Sequence, residues 1–110
     1  MNPQMNSTVL ERQNQEFSGT GGRSQENRPW GFRPAFMDAA TRRIYGSSFS
    51  DGTPAPFHLL DGLPDEVVIS RDTGGRVASV KASIIAGFVL NGCFYSREEA
   101  ARFAAEAVGA

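Results

Sequence analysis

The chain is poor in the residues that usually announce a chemistry. Its 110 residues include one cysteine, Cys93, one histidine, His58, and one lysine, Lys81. A lone thiol closes no intrachain disulfide and builds no cysteine-based zinc site, so a reducing, cytoplasmic setting is expected. No run approaches the ~18 consecutive apolar residues of a membrane-spanning helix. The opening MNPQMNSTVLERQNQEFSGTGG has neither the basic start nor the apolar core of a secretory signal. Charge of either sign is not in excess: 11 Lys and Arg face 12 Asp and Glu, leaving a formal charge of −1 and no global field to draw in nucleic acid or an anionic membrane.

What is present divides at Pro29. Residues 1–28 are dense in Asn, Gln, Ser and Gly, with Val9, Leu10 and Phe17 isolated among polar neighbours. Such a segment buries too little to offset its ordering entropy, which predicts a disordered polar tail. Within it, STVLERQNQEF is compatible with a short helix capped by Ser7 that folds against a partner. Residues 29–110 hold seven of the eight phenylalanines, enough for one small core built on aromatic burial.

Three hairpins are legible in that domain. Phe32 and Phe36 flank Pro34, and a second β-rich run, RRIYGSSF, follows the polar break DAATR, where Asp38 and Thr41 can accept backbone amides. Because Pro34 lacks an N–H, its strand is expected at an edge. DGTPAPFHLLDGLPDE reads as a loop pinned by Phe57, Leu59, Leu60 and Leu63. VVIS and RVASV are joined by Asp72-Thr73-Gly74-Gly75 as a second hairpin. The stretch 77–90 fits either period, but its β-branched residues favour strand.

The third hairpin turns on Asn91-Gly92, the pair best suited to a two-residue type I′ turn, which sets Leu90 opposite Cys93, Val89 opposite Phe94 and Phe88 opposite Tyr95. Ser96 and Glu99 then form a capping box, opening a helix whose Ala100, Phe103, Ala104 and Ala107 share one face and which Gly109 stops. The expected fold is α+β: a small antiparallel sheet of hairpins with one C-terminal helix laid across it, behind a disordered tail.

AGFVLNGCFYSREEAARFA, together with APFHLLDGLPDEVV, resembles small uncharacterised bacterial proteins of the kind seen in proteobacteria and on their mobile elements. The resemblance covers roughly the region after Pro29. It implies no activity, and no functional residue is carried over from it.

The candidate chemistry is correspondingly thin. His58 with Asp61 three residues on suits acid–base work, but a histidine inside a proline-bracketed apolar loop more often anchors that loop through backbone hydrogen bonds. Cys93 reads as a small apolar strand residue rather than a reactive thiol. Neither SGTGG nor DTGGR has the Lys and Ser or Thr of a phosphate loop, and the scattered loop acids do not follow a calcium-loop spacing. No metal and no cofactor is therefore expected.

Arg and aromatic residues interleave around the first hairpin: Trp30, Arg33, Arg42, Arg43 and Tyr45, with Phe32 beside them. Such a set forms an interface hot spot when exposed. The reading is a non-catalytic binding module that engages a protein partner or a second copy of itself through this surface or a sheet edge. The alternative is a nucleic-acid-binding accessory protein, with Arg28, Arg33, Arg42 and Arg43 on phosphate and Trp30 and Tyr45 on bases.

Overall fold

The computed structural model describes residues 6–17, 19 and 27–109. Among them, helix α1 (Ser7–Glu16) precedes six strands, β1 (Arg33–Asp38), β2 (Ile44–Gly46), β3 (Val68–Arg71), β4 (Val77–Val80), β5 (Ile84–Leu90) and β6 (Cys93–Ser96), and helix α2 (Arg97–Gly109) ends the chain. The fold is α+β. β1, β2, β5 and β6 form a four-stranded antiparallel sheet in the order β2-β1-β5-β6, and β3 pairs with β4 in a separate two-stranded sheet.

The local signals form as read. Asn91 (φ 53°) and Gly92 (φ 81°) take the left-handed values of the tight turn, and the pairs Leu90–Cys93, Val89–Phe94 and Phe88–Tyr95 follow. Glu99 N–H donates to Ser96 Oγ (3.1 Å) and Ser96 N–H to Glu99 Oε1 (2.9 Å), a reciprocal capping box at the start of α2. In the first hairpin Asp38 Oδ1 accepts from Ala40 N–H and Thr41 Oγ1 from Arg43 N–H. Residues 77–90 are strand in both halves, broken at Lys81–Ser83, where Lys81 N–H bonds the Val67 carbonyl and the chain leaves one sheet for the other. That break is why the hairpins do not share one sheet.

Pro34 lies in an inner strand, not at an edge. β1 is paired on both sides, with Pro34 opposite Phe88. The Pro34 carbonyl accepts from Ser47 N–H (2.9 Å), so its nitrogen faces the same side, just past the end of β2. The donor that Pro34 lacks is not missed there, because the Ser47 carbonyl takes the Ala55 N–H (3.0 Å). An imino acid is tolerated at an inner position when the flanking strand has already ended.

Part of the predicted tail is ordered into the core. Ser7–Glu16 is helical, capped by Asn6 rather than Ser7, since Asn6 Oδ1 accepts the Val9 N–H at 2.9 Å. Val9 and Leu10 are buried in the main core, and Asn27 is fully buried. Two adjacent aliphatic side chains on a polar helix suffice when the receiving surface already exists, because each contributes about 1.5–3 kcal/mol on burial. Residues 1–5, 18 and 20–26 of the predicted tail lie outside the described residues.

Both core clusters lie on one face of the large sheet. Phe36, Ile84 and Ala86 meet Val9, Leu10, Leu60, Leu63, Val67, Val77 and Val80 in one cluster. Phe32, Phe88 and Ala100 of α2 form a second, extended by Leu90 and Tyr95. Phe32 stacks edge-on against Phe88, Tyr95 and Phe103 with ring centroids 5.2–6.0 Å apart. Of the expected loop anchors, Leu60 and Leu63 are buried, whereas Phe57 is 47% exposed and packs edge-on against Phe49.

Candidate functional site: the first hairpin and the open sheet face

Among the described residues, neither core cluster covers the opposite face of the sheet. Strand pairing puts three rows of side chains on it: Ile44, Met37 and Ile85; then Gly46, Ala35, Gly87 and Ser96; then Arg33, Val89 and Phe94. Neither core cluster includes a residue of these rows. Ile44 is 41% exposed, and Met37, Ile85, Val89 and Phe94 are each partly exposed. The middle row is small because Phe94 leans across it: a Cβ on Gly87 would overlap both the Phe94 ring and the Tyr95 carbonyl oxygen. The result is a shallow, filled, apolar surface with Arg33 at one corner.

The hairpin residues divide into two groups. Arg42, Arg43 and Tyr45 stand at the turn end, Arg42 with φ 66° in the connection itself. Tyr45 Oη donates to Glu66 Oε1 (3.1 Å), and Arg43 Nη1 lies 3.7 Å from the same oxygen. With Asp38, Thr41, Val67 and Lys81 they line a cavity of about 450 Å³. Partial burial, and then the Glu66 hydrogen bond, push the Tyr45 phenol up, so it remains a neutral donor. Asp38 is held below the usual carboxylate range, first by the Ser83 hydroxyl and then by the Ala40 amide.

Trp30 and Arg33 stand at the other end of β1, about 17 Å away along its six residues. Trp30, 36% exposed, packs edge-on against Phe103 of α2 (6.3 Å). Arg33 is exposed on the open face. The structure therefore brings Arg42, Arg43 and Tyr45 together and Trp30 and Arg33 together, but not the two groups with each other. Nothing is described of the Arg28 side chain.

His58 sits on the covered face, where it ties the long loop to the sheet. Its Nε2 lies 2.6 Å from the Gly87 carbonyl oxygen and its Nδ1 3.0 Å from Arg97 Nη2. A carbonyl only accepts and a guanidinium only donates, so the ring is the neutral Nε2–H tautomer with both nitrogens committed. Edge contacts with Phe36 (5.4 Å) and Phe88 (5.1 Å) enclose it. Burial, reinforced by the Arg97 charge, lowers its pKa to about 3. Asp61 does not orient it; that carboxylate pairs with Arg76 (3.5 Å). Sequence reasoning found the loop-anchoring role of His58 but missed Arg97, which is buried at the first position of α2 and 39 residues away.

Cys93 is on β6 as expected, but exposed, because it flanks the turn at the sheet's outer corner. Among the described residues no group of three or more His, Cys, Asp or Glu side chains is placed to hold a metal ion, and no helix is long and apolar enough to cross a membrane. No protein-family model, curated protein or solved structure matches the chain.

Proposed function

We propose that the protein is a small, non-catalytic, cytoplasmic binding module that engages a protein partner or a second copy of itself through the open sheet face and the Arg and aromatic residues of the first hairpin. The observation that carries this reading is the two-sidedness of the sheet. One face is covered by α1, α2, the second sheet and the 58–67 loop, while the other presents Ile44, Met37, Ile85, Val89 and Phe94. An antiparallel sheet with a solvated face ordinarily alternates apolar inside with polar outside, so five apolar side chains on the outward rows suit a protein interface. Arg33 and Arg42 at its margins supply the rim, whereas Tyr45, opposite Phe36 and packed on the main core, and Trp30, against Phe103 of α2, lie toward the covered face.

The nucleic-acid alternative needs arginines and aromatics along one track. Tyr45 and Arg43 are turned toward Glu66, and Trp30 lies at the far end against α2. No observation favours that reading over the first.

The test is a double substitution on the open face, Ile85→Lys with Val89→Lys. The wild type is expected to show a concentration-dependent rise in solution mass, or to retain a stoichiometric partner, and the variant to lose that association while keeping its thermal unfolding profile. Unchanged association in a folded variant overturns the reading.

A further inference from the structure

The outer edge of β2 offers backbone groups that the sheet itself does not use. Asp38 N–H bonds the Arg43 carbonyl and Ser47 N–H the Pro34 carbonyl, so Arg43, Tyr45 and Ser47 face β1. Ile44 and Gly46 consequently direct their N–H and C=O groups away from the sheet, along an edge that no described strand covers. Neither is a charged residue or a proline, the types that commonly blunt an edge. Ser48 is directed outward as well, but Gly62 is packed against it, since a Cβ on Gly62 would overlap the Ser48 hydroxyl and carbonyl oxygens. That end of the edge is already in contact with the chain itself, which leaves Ile44 and Gly46 as its open part.

The two open residues complement each other. Ile44 is exposed on the open face, whereas a Cβ built on Gly46 would meet nothing within 4 Å, so a bulky apolar side chain and an empty space stand two residues apart on one strand. Antiparallel pairing of two β2 strands about a two-fold axis at Tyr45 sets Ile44 of each copy opposite Gly46 of the other, where opposite side chains share a face. A copy shifted by two residues would oppose Gly46 to Gly46 or Ile44 to Ile44 and lose that match. The register centred on Tyr45 also sets Arg43 opposite Ser47, so no like charges face each other. Each Arg43 then lies diagonal to the other copy's Tyr45, whose hydroxyl bonds Glu66. Arg43 and Glu66 are both largely exposed and 3.7 Å apart within one copy, so each has room for a second partner of opposite charge across the seam. A two-fold contact requires both halves of every match on the same surface, and this edge carries them.

We propose that two copies of the chain join through their β2 edges, with Ile44 of each paired to Gly46 of the other and the two Tyr45 residues side by side, so that the two four-stranded sheets become one continuous antiparallel sheet. Each Ile44–Gly46 pair exchanges both of its N–H···O bonds, and the Ile44 side chain fills the space over the glycine. The axis stands perpendicular to the sheet, so the open faces of the two copies lie on the same side and their Ile44, Met37 and Ile85 rows meet at the seam. This inference rests on the binding-module reading and deepens it: the second copy is taken at the edge, and the apolar face left for a further partner is doubled.

The experiment measures the solution mass of the full chain by sedimentation equilibrium over a rising concentration series, with amide hydrogen exchange at both ends of it. The chain is expected to pass from monomer to dimer, and the Ile44 and Gly46 amides to exchange at least tenfold more slowly in the concentrated sample. Gly46→Pro removes an outward N–H and no bond to β1, and should weaken the dimer at least tenfold; a dispersed ¹H–¹⁵N spectrum verifies its fold. Independently of that variant, Tyr45→Cys with Cys93→Ser should cross-link as a dimer on air oxidation, and Ile85→Cys with Cys93→Ser should not. A chain that stays monomeric, edge amides with unchanged exchange, or an undiminished dimer in folded Gly46→Pro overturns the proposal. A Tyr45→Cys cross-link that is absent, or no greater than that through Ile85→Cys, also overturns it. Repeating Ile85→Lys with Val89→Lys in the Gly46→Pro background reads the open face alone, so the two readings fail separately.

Discussion

His58 makes the fold sensitive to acid in a window that few other groups share. Folded, it takes a proton only near pH 3, because burial and then the Arg97 guanidinium oppose the charge; unfolded, it takes one near 6.5. Between those values unfolding binds a proton, so stability is level above pH 6.5, declines as pH falls toward 3, and levels again below. Each pH unit well inside the window is worth about 1.4 kcal/mol, and because the unfolded ring is already half protonated at pH 6.5 the loss between pH 6.5 and 4.5 is on the order of 2 kcal/mol. For a domain stable by about 5–15 kcal/mol that is a large share. The carboxyls that the fold holds below their ordinary value act elsewhere. Asp38, held by Ser83 and the Ala40 amide, and Asp51, held by the Thr53 amide and hydroxyl, contribute above about pH 3.8 and lose that contribution as pH falls through their folded values. Denaturant unfolding of the wild type and of His58→Gln from pH 7 to 4.5 measures the difference. The wild type should lose about 2–3 kcal/mol and the variant well under 1 kcal/mol over the same interval. Equal slopes in the two proteins, or a His58 ring proton that titrates near pH 6.5 by NMR in the folded state, would refute the burial argument.

Leu10→Ala should cost about 2–3 kcal/mol of unfolding free energy, because Leu10 is 6% exposed within the main core; an unchanged midpoint would mean that α1 does not dock in solution. Ser96→Ala removes the hydroxyl half of the capping box and should lower stability by about 1 kcal/mol, read as a shift in the chemical midpoint at constant slope. Gly87→Ala introduces a methyl against the Tyr95 carbonyl and the Phe94 ring, and should destabilise by about 1–3 kcal/mol; a neutral result would show that β5 and β6 have slack at this row.

What the sequence discloses follows the range of the interaction. Asn91-Gly92 and Ser96 with Glu99 specify their structures within four residues, through positive φ and a reciprocal pair of hydrogen bonds, so register and helix start were both legible. Pro34 was misplaced because its expectation assumed a neighbour along the whole strand, and where β2 ends depends on the distant segment around Ala55. Val9 and Leu10 look stranded in a polar segment because the surface that receives them is assembled from β1, β4, β5 and the 60–67 region. The open face was illegible for a related reason. Met37, Ile85, Val89 and Phe94 have the composition of core residues, and only the strand pairing reveals that they point away from every described covering element. The Arg and aromatic set around the first hairpin was legible as a cluster in the chain. Its division into two groups was not, because β1 itself separates them.

The two edges of the sheet are not equivalent, and the difference bears on where a partner strand can add. On β6, Leu90 and Cys93 flank a two-residue turn and exchange hydrogen bonds, which leaves Phe94 and Ser96 directed outward. Ser96 N–H is already taken by Glu99, so the helix cap blunts that edge and Phe94 alone offers a full donor–acceptor set. On β2 both Ile44 and Gly46 face outward, and Ser48 continues the same edge, because the Ser47–Ala55 and Phe49–Thr53 hydrogen bonds lie on the β1 side. The covered face meanwhile is held by core packing and by the His58 links to Gly87 and Arg97, so the strands that present the open rows and the β2 edge are fixed before any partner arrives. A surface fixed in advance spends less of its contact energy on ordering itself. On the binding-module reading proposed above, a partner strand would therefore add on the β2 side and an apolar partner would dock on the face that adjoins it.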